Sequence, residues 1–305
     1  MDAAPPPSGR QLELTSGPAR AVVVEVGGGL RSLTLDGRAV LTGYAEHERP
    51  VGGRGQHLLP WPNRVRDGRW SWRGQSQQLP LTEPAVGNAS HGLGRWGGWE
   101  VTEAGTSSAV LRHVVHPQPG WPGRLEATCA WHLAADALTA RVTVRSLAAE
   151  PLPLGYGAHP YLAPRTALVD DEVLHVPASR RLLTDERGLP VGEEEVDGSP
   201  YDFRTPRPVG DLALDTCYGG LDRRRDGSVA VRFGDVEVWG DEAFRWFQVY
   251  SGETLPEPER RRSLAVEPMT CPPDALNSGT DLVVLEPGDV WTGTWGIRTV
   301  GAATP

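Results

Sequence analysis

Apolar and polar residues alternate with a period of two along most of this chain, and this alternation constrains the fold more than any other feature. Two segments joined by an Ala135-Asp136 turn show it best: Leu125, Ala127, Cys129, Trp131 and Leu133, then Leu138, Ala140, Val142 and Val144. Asp36-Gly37 and Gly234-Asp235 separate similar pairs, and both dipeptides are typical of hairpin turns. Because a period of two places one face of a strand in a core, the pattern predicts stacked antiparallel hairpins.

The composition agrees with a fold of many turns and few long helices. The 305 residues include 37 Gly and 28 Pro, and no repeat of roughly 20 to 50 residues suggests a solenoid or propeller. We therefore predict an all-β chain, a large antiparallel β-sandwich, with one domain over residues 12–300 and flexible tails at 1–11 and 301–305. Residues 185–207 are expected to form a strand-poor surface insertion.

Charge and cysteine usage limit the partners and the compartment. The formal net charge is −9, so neither a nucleic acid nor an anionic membrane is an expected partner. No apolar run has transmembrane length, and the N-terminus lacks the apolar stretch of a signal peptide. Cys129, Cys217 and Cys271 match neither a metal site nor a disulfide framework. The expectation is a soluble cytoplasmic protein, and the oligomeric state stays open.

Five segments differ from hairpin strands because they concentrate polar and titratable residues beside Gly, Pro and aromatic residues. They are Pro60-Trp61-Pro62-Asn63-Arg64, His91-Gly92-Leu93-Gly94-Arg95-Trp96, Gly157-Ala158-His159-Pro160-Tyr161, Leu214-Asp215-Thr216 and Glu267-Pro268-Met269-Thr270. Taken singly, each has an ordinary structural interpretation, since a lone His is more often structural and a surface Arg often pairs with a nearby carboxylate. Only their combination indicates a function.

In their order along the chain and in the residues they contain, these segments resemble the aldose 1-epimerase family, the galactose mutarotases and their relatives. The resemblance extends from Val22 to Val300. Pro-Asn-Arg followed by Asp67-Gly68 is the most specific part. The resemblance implies a galactose mutarotase-like sandwich that holds a monosaccharide in an open groove on one sheet. It further implies interconversion of the α and β anomers of a free aldose, with no metal or other cofactor.

The resemblance also implies a role for individual residues. Glu267 would be the general base at the C1 hydroxyl, His159 the general acid at the ring oxygen, and His91 a second histidine on the ring-oxygen side. Arg64 and Asp215 would hold the sugar hydroxyls.

Three further residues are expected to complete the site. Asn63 would support Arg64, which follows it. Trp61 or Trp96 would cover an apolar face of the sugar, since an indole offers a flat apolar face, although a place in the core is the alternative for both. His57, just before the proline-rich loop, is the remaining histidine most expected near the site.

The sequence leaves several alternatives open. Ala158-His159-Pro160-Tyr161 departs from the Asn-His of the best-known galactose mutarotases and fits a bacterial subgroup, so the sugar is undetermined. A hexose-6-phosphate 1-epimerase is one alternative, because His91-Gly92-Leu93-Gly94-Arg95 also resembles those related enzymes and Arg95 would then contact the phosphate. A non-catalytic sugar-binding or regulatory protein is another alternative. A lyase or hydrolase would use Asp215 and Glu267 as opposed carboxylates and leave the histidines unexplained.

Overall fold

A computed structural model describes residues 5–301, and nearly all of its regular structure is strand. In chain order the first strands are β1 (Gln11–Ser16), β2 (Ala19–Val24), β3 (Leu30–Leu35), β4 (Arg38–Ala39), β5 (His57–Leu58), β6 (Arg64–Arg66), β7 (Arg69–Trp72), β8 (Gln75–Gln78), β9 (Asn88–Ser90), β10 (Glu100–Ala104), β11 (Ser108–Val115), β12 (Leu125–Leu133) and β13 (Ala137–Ser146). The others are β14 (Leu152–Leu154), β15 (Gly157–Ala158), β16 (Tyr161–Leu162), β17 (Val173–His175), β18 (Ala178–Thr184), β19 (Pro190–Glu195), β20 (Arg207–Pro208), β21 (Asp215–Leu221), β22 (Val229–Phe233), β23 (Val236–Gly240), β24 (Trp246–Tyr250), β25 (Leu264–Met269), β26 (Val283–Leu285) and β27 (Val290–Thr299).

Helix is confined to a 3₁₀ turn at Val169–Asp171 and to α1 (Ala275–Ser278) within residues 5–301. Neither has the length or apolar character needed to cross a membrane.

Two large antiparallel sheets dominate the molecule. One has nine strands in the order β10-β11-β12-β13-β27-β23-β22-β17-β20. The other has eight, in the order β19-β18-β21-β24-β25-β15-β5, with β16 paired to β25 beside that path. A smaller sheet of four strands has the order β1-β2-β3-β4. Three two-stranded sheets pair β14 with β26, β6 with β9 and β7 with β8. The predicted all-β fold, a large antiparallel β-sandwich, is confirmed.

The best-patterned hairpin of the sequence forms the middle of the nine-stranded sheet. Strands β12 and β13 pair along their whole length, with Leu133 opposite Leu138 and Leu125 opposite Ser146. The alternating residues named above are all buried in one core cluster that extends from Leu12 to Ile297. Burying one face of each strand gives the hydrophobic gain that fixes its register, because a slip of one residue would expose that face.

The middle of the eight-stranded sheet is buried on both sides. Val249 and Val266 face the main core, whereas their neighbours Gln248 and Glu267 pair across β24 and β25 and point to the opposite face. Every residue of β25 is buried, so buried and exposed residues do not alternate along this strand. The cleft described in the next subsection lies on this second face.

The start of the packed domain and the content of one insertion differ from the sequence expectations. Packing begins before residue 12, because Ser8 is buried, its carbonyl accepts a hydrogen bond from the Val26 amide, and β1 begins at Gln11. Residues 1–4 and 302–305 of the expected tails lie outside the described residues. The expected surface insertion at 185–207 contains one strand that the sequence did not predict, β19, which pairs with β18, and no other strand begins there before Arg207. As a mostly exposed edge strand, β19 lacks the apolar alternation that marks a strand in sequence.

Candidate active site

A cleft of about 250 Å³ lies against β21, β24 and β25. Its volume is close to the lower end of small-molecule sites, roughly 300–1,000 Å³, which suits a ligand of monosaccharide size. The lining includes seven residues proposed from the sequence: Asn63, Arg64, His91, Trp96, His159, Asp215 and Glu267. These residues come from five separate segments of the chain, which the fold brings to one place.

The central pair of the cleft is a carboxyl and an imidazole in contact. Glu267 lies on β25 and His159 directly follows β15, and these two strands pair through Gly157 and Met269. The distance from Glu267 Oε1 to His159 Nε2 is 3.3 Å, and both side chains are almost fully buried. An acid–base pair therefore forms the floor of the cleft.

Burial moves the two pKa values in opposite directions. It raises the pKa of Glu267 well above its usual value, with a further rise from the Asp215 charge and a partial offset from Arg64. It lowers the pKa of His159 to about 3, helped by the charges of Arg95 and Arg54. Both shifts therefore favour the uncharged forms of the two groups, a protonated carboxyl beside a neutral imidazole.

Aromatic stacking and a glycine hold the His159 ring in place. Tyr161 stacks on it with a centroid distance of 4.9 Å and an angle of 8° between the planes, and the Tyr161 hydroxyl donates to the Gly52 carbonyl. On the adjacent loop, a Cβ at Gly53 would lie 2.8 Å from His159 Cδ2. Only glycine fits at that position, where φ is also +78°.

Two residues with left-handed backbone conformation lie in the loops that carry Arg64 and His91. Asn63 has φ 54° and His91 has φ 62°, and Asn is among the residues that tolerate this region. The Asn63 side chain accepts a hydrogen bond from the Arg64 amide at 2.9 Å. The Asn63 amide in turn donates to His91 Nδ1 at 3.3 Å.

That last hydrogen bond determines the tautomer of His91. A backbone amide only donates, so Nδ1 must be the unprotonated nitrogen and Nε2 must carry the proton. The pKa of His91 is also lowered well below its usual value, by burial first and then by the charges of His159, Arg95 and Arg64. His91 is therefore a neutral ring that can donate a hydrogen bond through Nε2.

Another part of the cleft is lined by a chain of polar side chains. Arg64 Nε donates to Glu83 Oε2 at 2.9 Å and lies 3.9 Å from Asp215, while Gln248 Nε2 donates to Asp215 Oδ1. Gln248 Oε1 and Glu267 Oε2 are buried, and neither has a hydrogen-bond partner within residues 5–301. Such buried acceptors are costly unless a ligand or water supplies the missing donors.

The two tryptophans proposed for the sugar have different environments. Trp96 lines the cleft and is 52% exposed, so its indole is available to a ligand. Trp61 is 2% exposed and its ring centroid lies 6.2 Å from that of Trp121 in the core. The proposed sugar contact of Trp61 is therefore wrong, because the Pro60 and Pro62 loop turns this indole inward.

His57 belongs to the core as well, not to the cleft. Its Nδ1 lies 2.6 Å from the Tyr156 hydroxyl. Among the cleft residues that sequence reasoning missed are Gln248 and Tyr250 on β24, and Glu83, Thr254 and Leu255 on loops. None lies in a recognisable motif: the pairing of β24 with β25 places Gln248 and Tyr250 here, and the course of the loops places the other three. Over residues 5–301, no group of three or more His, Cys, Asp or Glu side chains is arranged to hold a metal ion.

Comparisons with known proteins cover nearly the whole chain. Residues 10–298 match the family model described as aldose 1-epimerase. The uncharacterized protein YihR of Escherichia coli K12 is 32% identical over 284 residues, which cover 92% of this chain and 90% of that protein.

Among solved structures, the GalM/aldose epimerase homologue from C. elegans has a TM-score of 0.84 at 18% identity, covering 96% of this chain and 99% of that one. The galactose 1-epimerase from Lactobacillus acidophilus NCFM has a TM-score of 0.75 at 19% identity, covering 94% and 93%. At such identities, these two likenesses concern the fold.

Proposed function

The chain belongs to the aldose 1-epimerase family, and from that premise we propose that it interconverts the α and β anomers of a free aldose by opening and closing the sugar ring. The contact between Glu267 and His159 is the observation that carries the proposal. The hydroxyl oxygen O1 and the ring oxygen O5 are bonded to the same carbon, C1. A base and an acid that serve these two oxygens must therefore lie side by side, as this pair does.

The pair carries one proton in total, and the reaction uses it without net change. In the ionised form, the Glu267 carboxylate takes the O1 proton while the C1–O5 bond breaks and His159 gives its proton to O5. The pair then holds its proton on Glu267, next to the open aldehyde. After rotation about C1–C2, closure on the other face of the aldehyde reverses both transfers and restores the ionised pair.

Burial favours the uncharged pair, so the bound sugar must help to form the ionised one. Hydrogen bonds from the O1 hydroxyl to the carboxylate and from the imidazolium to O5 supply this help, and the nearby Arg64 charge favours the carboxylate. Each acid or base typically contributes about 10²- to 10⁴-fold. Holding both against one ring adds the advantage of orientation.

The surrounding residues position the sugar in this proposal. Arg64 and Asp215 bind the hydroxyls remote from C1, and the free Gln248 Oε1 accepts from another hydroxyl. His91 donates from Nε2 on the ring-oxygen side and transfers no proton, since its tautomer is set by Asn63. The C1 end stays free to turn.

Exchange between anomers, measured by saturation-transfer NMR, tests the proposal. A panel of D-glucose, D-galactose, D-xylose and L-arabinose should contain at least one sugar whose exchange the protein accelerates, at a rate proportional to enzyme concentration. If sugars bind but no exchange is accelerated over the spontaneous rate, the non-catalytic sugar-binding alternative is favoured. The Glu267→Gln variant serves as the control for catalysis by the cleft.

A further inference from the structure

Arg95 is a charged residue of the cleft that the proposed reaction does not use. It contributes to the cleft lining, and its backbone is held, since its carbonyl accepts a hydrogen bond from Gln56 Nε2 at 2.7 Å. Burial lowers its pKa, and only the Glu83 charge opposes this shift. The guanidinium is therefore partly withdrawn from water on a fixed part of the chain.

The other arginines near the cleft are neutralised, whereas Arg95 is not. Arg64 is paired with Glu83 at 2.9 Å, and Arg54 with Glu259 at 2.7 Å. For Arg95, no carboxylate of residues 5–301 lies within ion-pair distance, and its guanidinium instead lies 5.3 Å from the centroid of the Trp96 ring. An indole contact of this kind is weak at an exposed site and leaves the charge uncompensated.

The position of Arg95 indicates which part of a sugar it would meet. Arg95 follows His91 by four residues in one segment, and the His91 ring centroid lies 5.3 Å from that of His159. The Arg95 charge also lowers the pKa of both histidines, so the guanidinium lies on the histidine side of the cleft. In the proposed reaction, the histidines face the ring oxygen O5. The next ring atom is C5, which carries the exocyclic C6 arm, so this arm extends toward the side where Arg95 lies.

We propose that the substrate is an aldose whose C6 arm carries a singly charged oxyanion, a carboxylate being the simplest case, and that Arg95 binds this group. A guanidinium forms paired, charge-assisted hydrogen bonds with such a group. A single unpaired arginine beside the acidic Glu83 matches one negative charge better than the two of a phosphate ester. The inference rests on the proposed function for the orientation of the sugar.

Equilibrium binding tests this subsite independently of turnover. Ligand-observed NMR titrations would compare D-glucuronate, D-glucose 6-phosphate and D-glucose with the wild type, Arg95→Gln and Arg95→Lys. The wild type should bind D-glucuronate about 10- to 100-fold more tightly than D-glucose, the range expected for hydrogen bonds to a charged group. Arg95→Gln should remove this preference, and Arg95→Lys should keep only part of it.

A matched control removes one positive charge elsewhere. Arg145 is exposed on β13 in the nine-stranded sheet, so Arg145→Ala should leave the preference unchanged if Arg95 acts by direct contact. Equal binding of D-glucuronate and D-glucose by the wild type would overturn the inference. So would tightest binding of D-glucose 6-phosphate, or a preference that survives Arg95→Gln.

Exchange rates separate this inference from the proposed function. With an active enzyme, Arg95→Gln should lower kcat/KM for D-glucuronate about 10- to 100-fold more than that for D-glucose, because the lost Arg95 charge also acts on the pKa of His159 and affects both sugars alike. Equal losses on both sugars would overturn the inference. If no aldose exchange is accelerated, the proposed function fails, and the binding preference alone then decides whether Arg95 selects an anion.

Discussion

Replacing Glu267 by Gln is the sharpest test of the proposed mechanism. Gln has nearly the same shape as Glu, so the variant removes the proton acceptor and leaves the packing of β25 in place. His159 is a poor substitute, because burial lowers its pKa to about 3 and so makes its imidazole a weak base. We therefore expect the loss of one full acid–base contribution, at least about 100-fold and up to about 10⁴-fold in kcat, which corresponds to about 2.7–5.4 kcal/mol in the barrier.

A second buried carboxylate provides a matched control for this variant. Glu237 is 3% exposed, but it lies on β23 in the other large sheet and pairs with Arg224 and Arg298. Glu237→Gln should weaken these charge-assisted bonds and lower the free energy of unfolding by about 1–3 kcal/mol. Because the residue is remote from the cleft, anomer exchange should stay near the wild-type rate.

Saturation-transfer NMR on the most active aldose of the panel would measure exchange, and denaturant unfolding would measure stability. The expected pattern is a slow but stable Glu267→Gln variant and an active but less stable Glu237→Gln variant. Exchange within about tenfold of the wild type in a folded Glu267→Gln protein would refute the assignment of the base. A loss of exchange in Glu237→Gln as large as in Glu267→Gln would show that the assay reports stability.

Three further predictions follow from the packing. Burial lowers the pKa of His57 from 6.5 to about 3, so the folded protein resists its protonation and stability is lost as the pH falls from about 6.5 toward 3. Between pH 6.5 and 5, His57→Gln should lose about 1.6 kcal/mol less than the wild type in urea unfolding, and equal losses would contradict this. Trp61→Ala should lower the free energy of unfolding by about 3–5 kcal/mol with little change in KM, whereas Trp96→Ala should weaken sugar binding at unchanged stability. The opposite pattern would show that Trp61, and not Trp96, contacts the sugar. Gly53→Ala should displace the His159 ring and lower kcat at least about tenfold with a smaller effect on KM, and wild-type kcat would show that the loop yields instead.

The strands that can be predicted from the sequence are those with one face in the core and the other face toward solvent. In β12 and β13 the apolar residues alternate with polar ones, and that pattern alone predicts the hairpin. Strand β25 is harder to predict because both of its faces are covered, so Ala265, Val266 and Met269 interrupt any period of two. Its identity as a central strand follows only from what packs on each side.

The site was predictable where local motifs carry it. Arg64, His91, His159 and Glu267 lie in distinctive segments, and the fold brings all of them to one cleft. Gln248 lies in no such segment and reaches the cleft through its pairing with Glu267 across β24 and β25. Composition and spacing also cannot separate Trp61 from Trp96, since the difference depends on the direction in which a proline-rich loop turns.

The doubly covered strand β25 sets limits on how a protein of this kind can change. A substitution at Val266 disturbs the core on one side and moves the Glu267 backbone on the other, so folding and chemistry are selected together at this strand. The cleft residues on connecting segments, which form its rim, have no such double role. Arg95, Trp96 and Thr254 lie on segments of this kind, which tolerate substitution. New sugar preferences should therefore arise by replacement of rim residues, while the reacting pair is inherited unaltered.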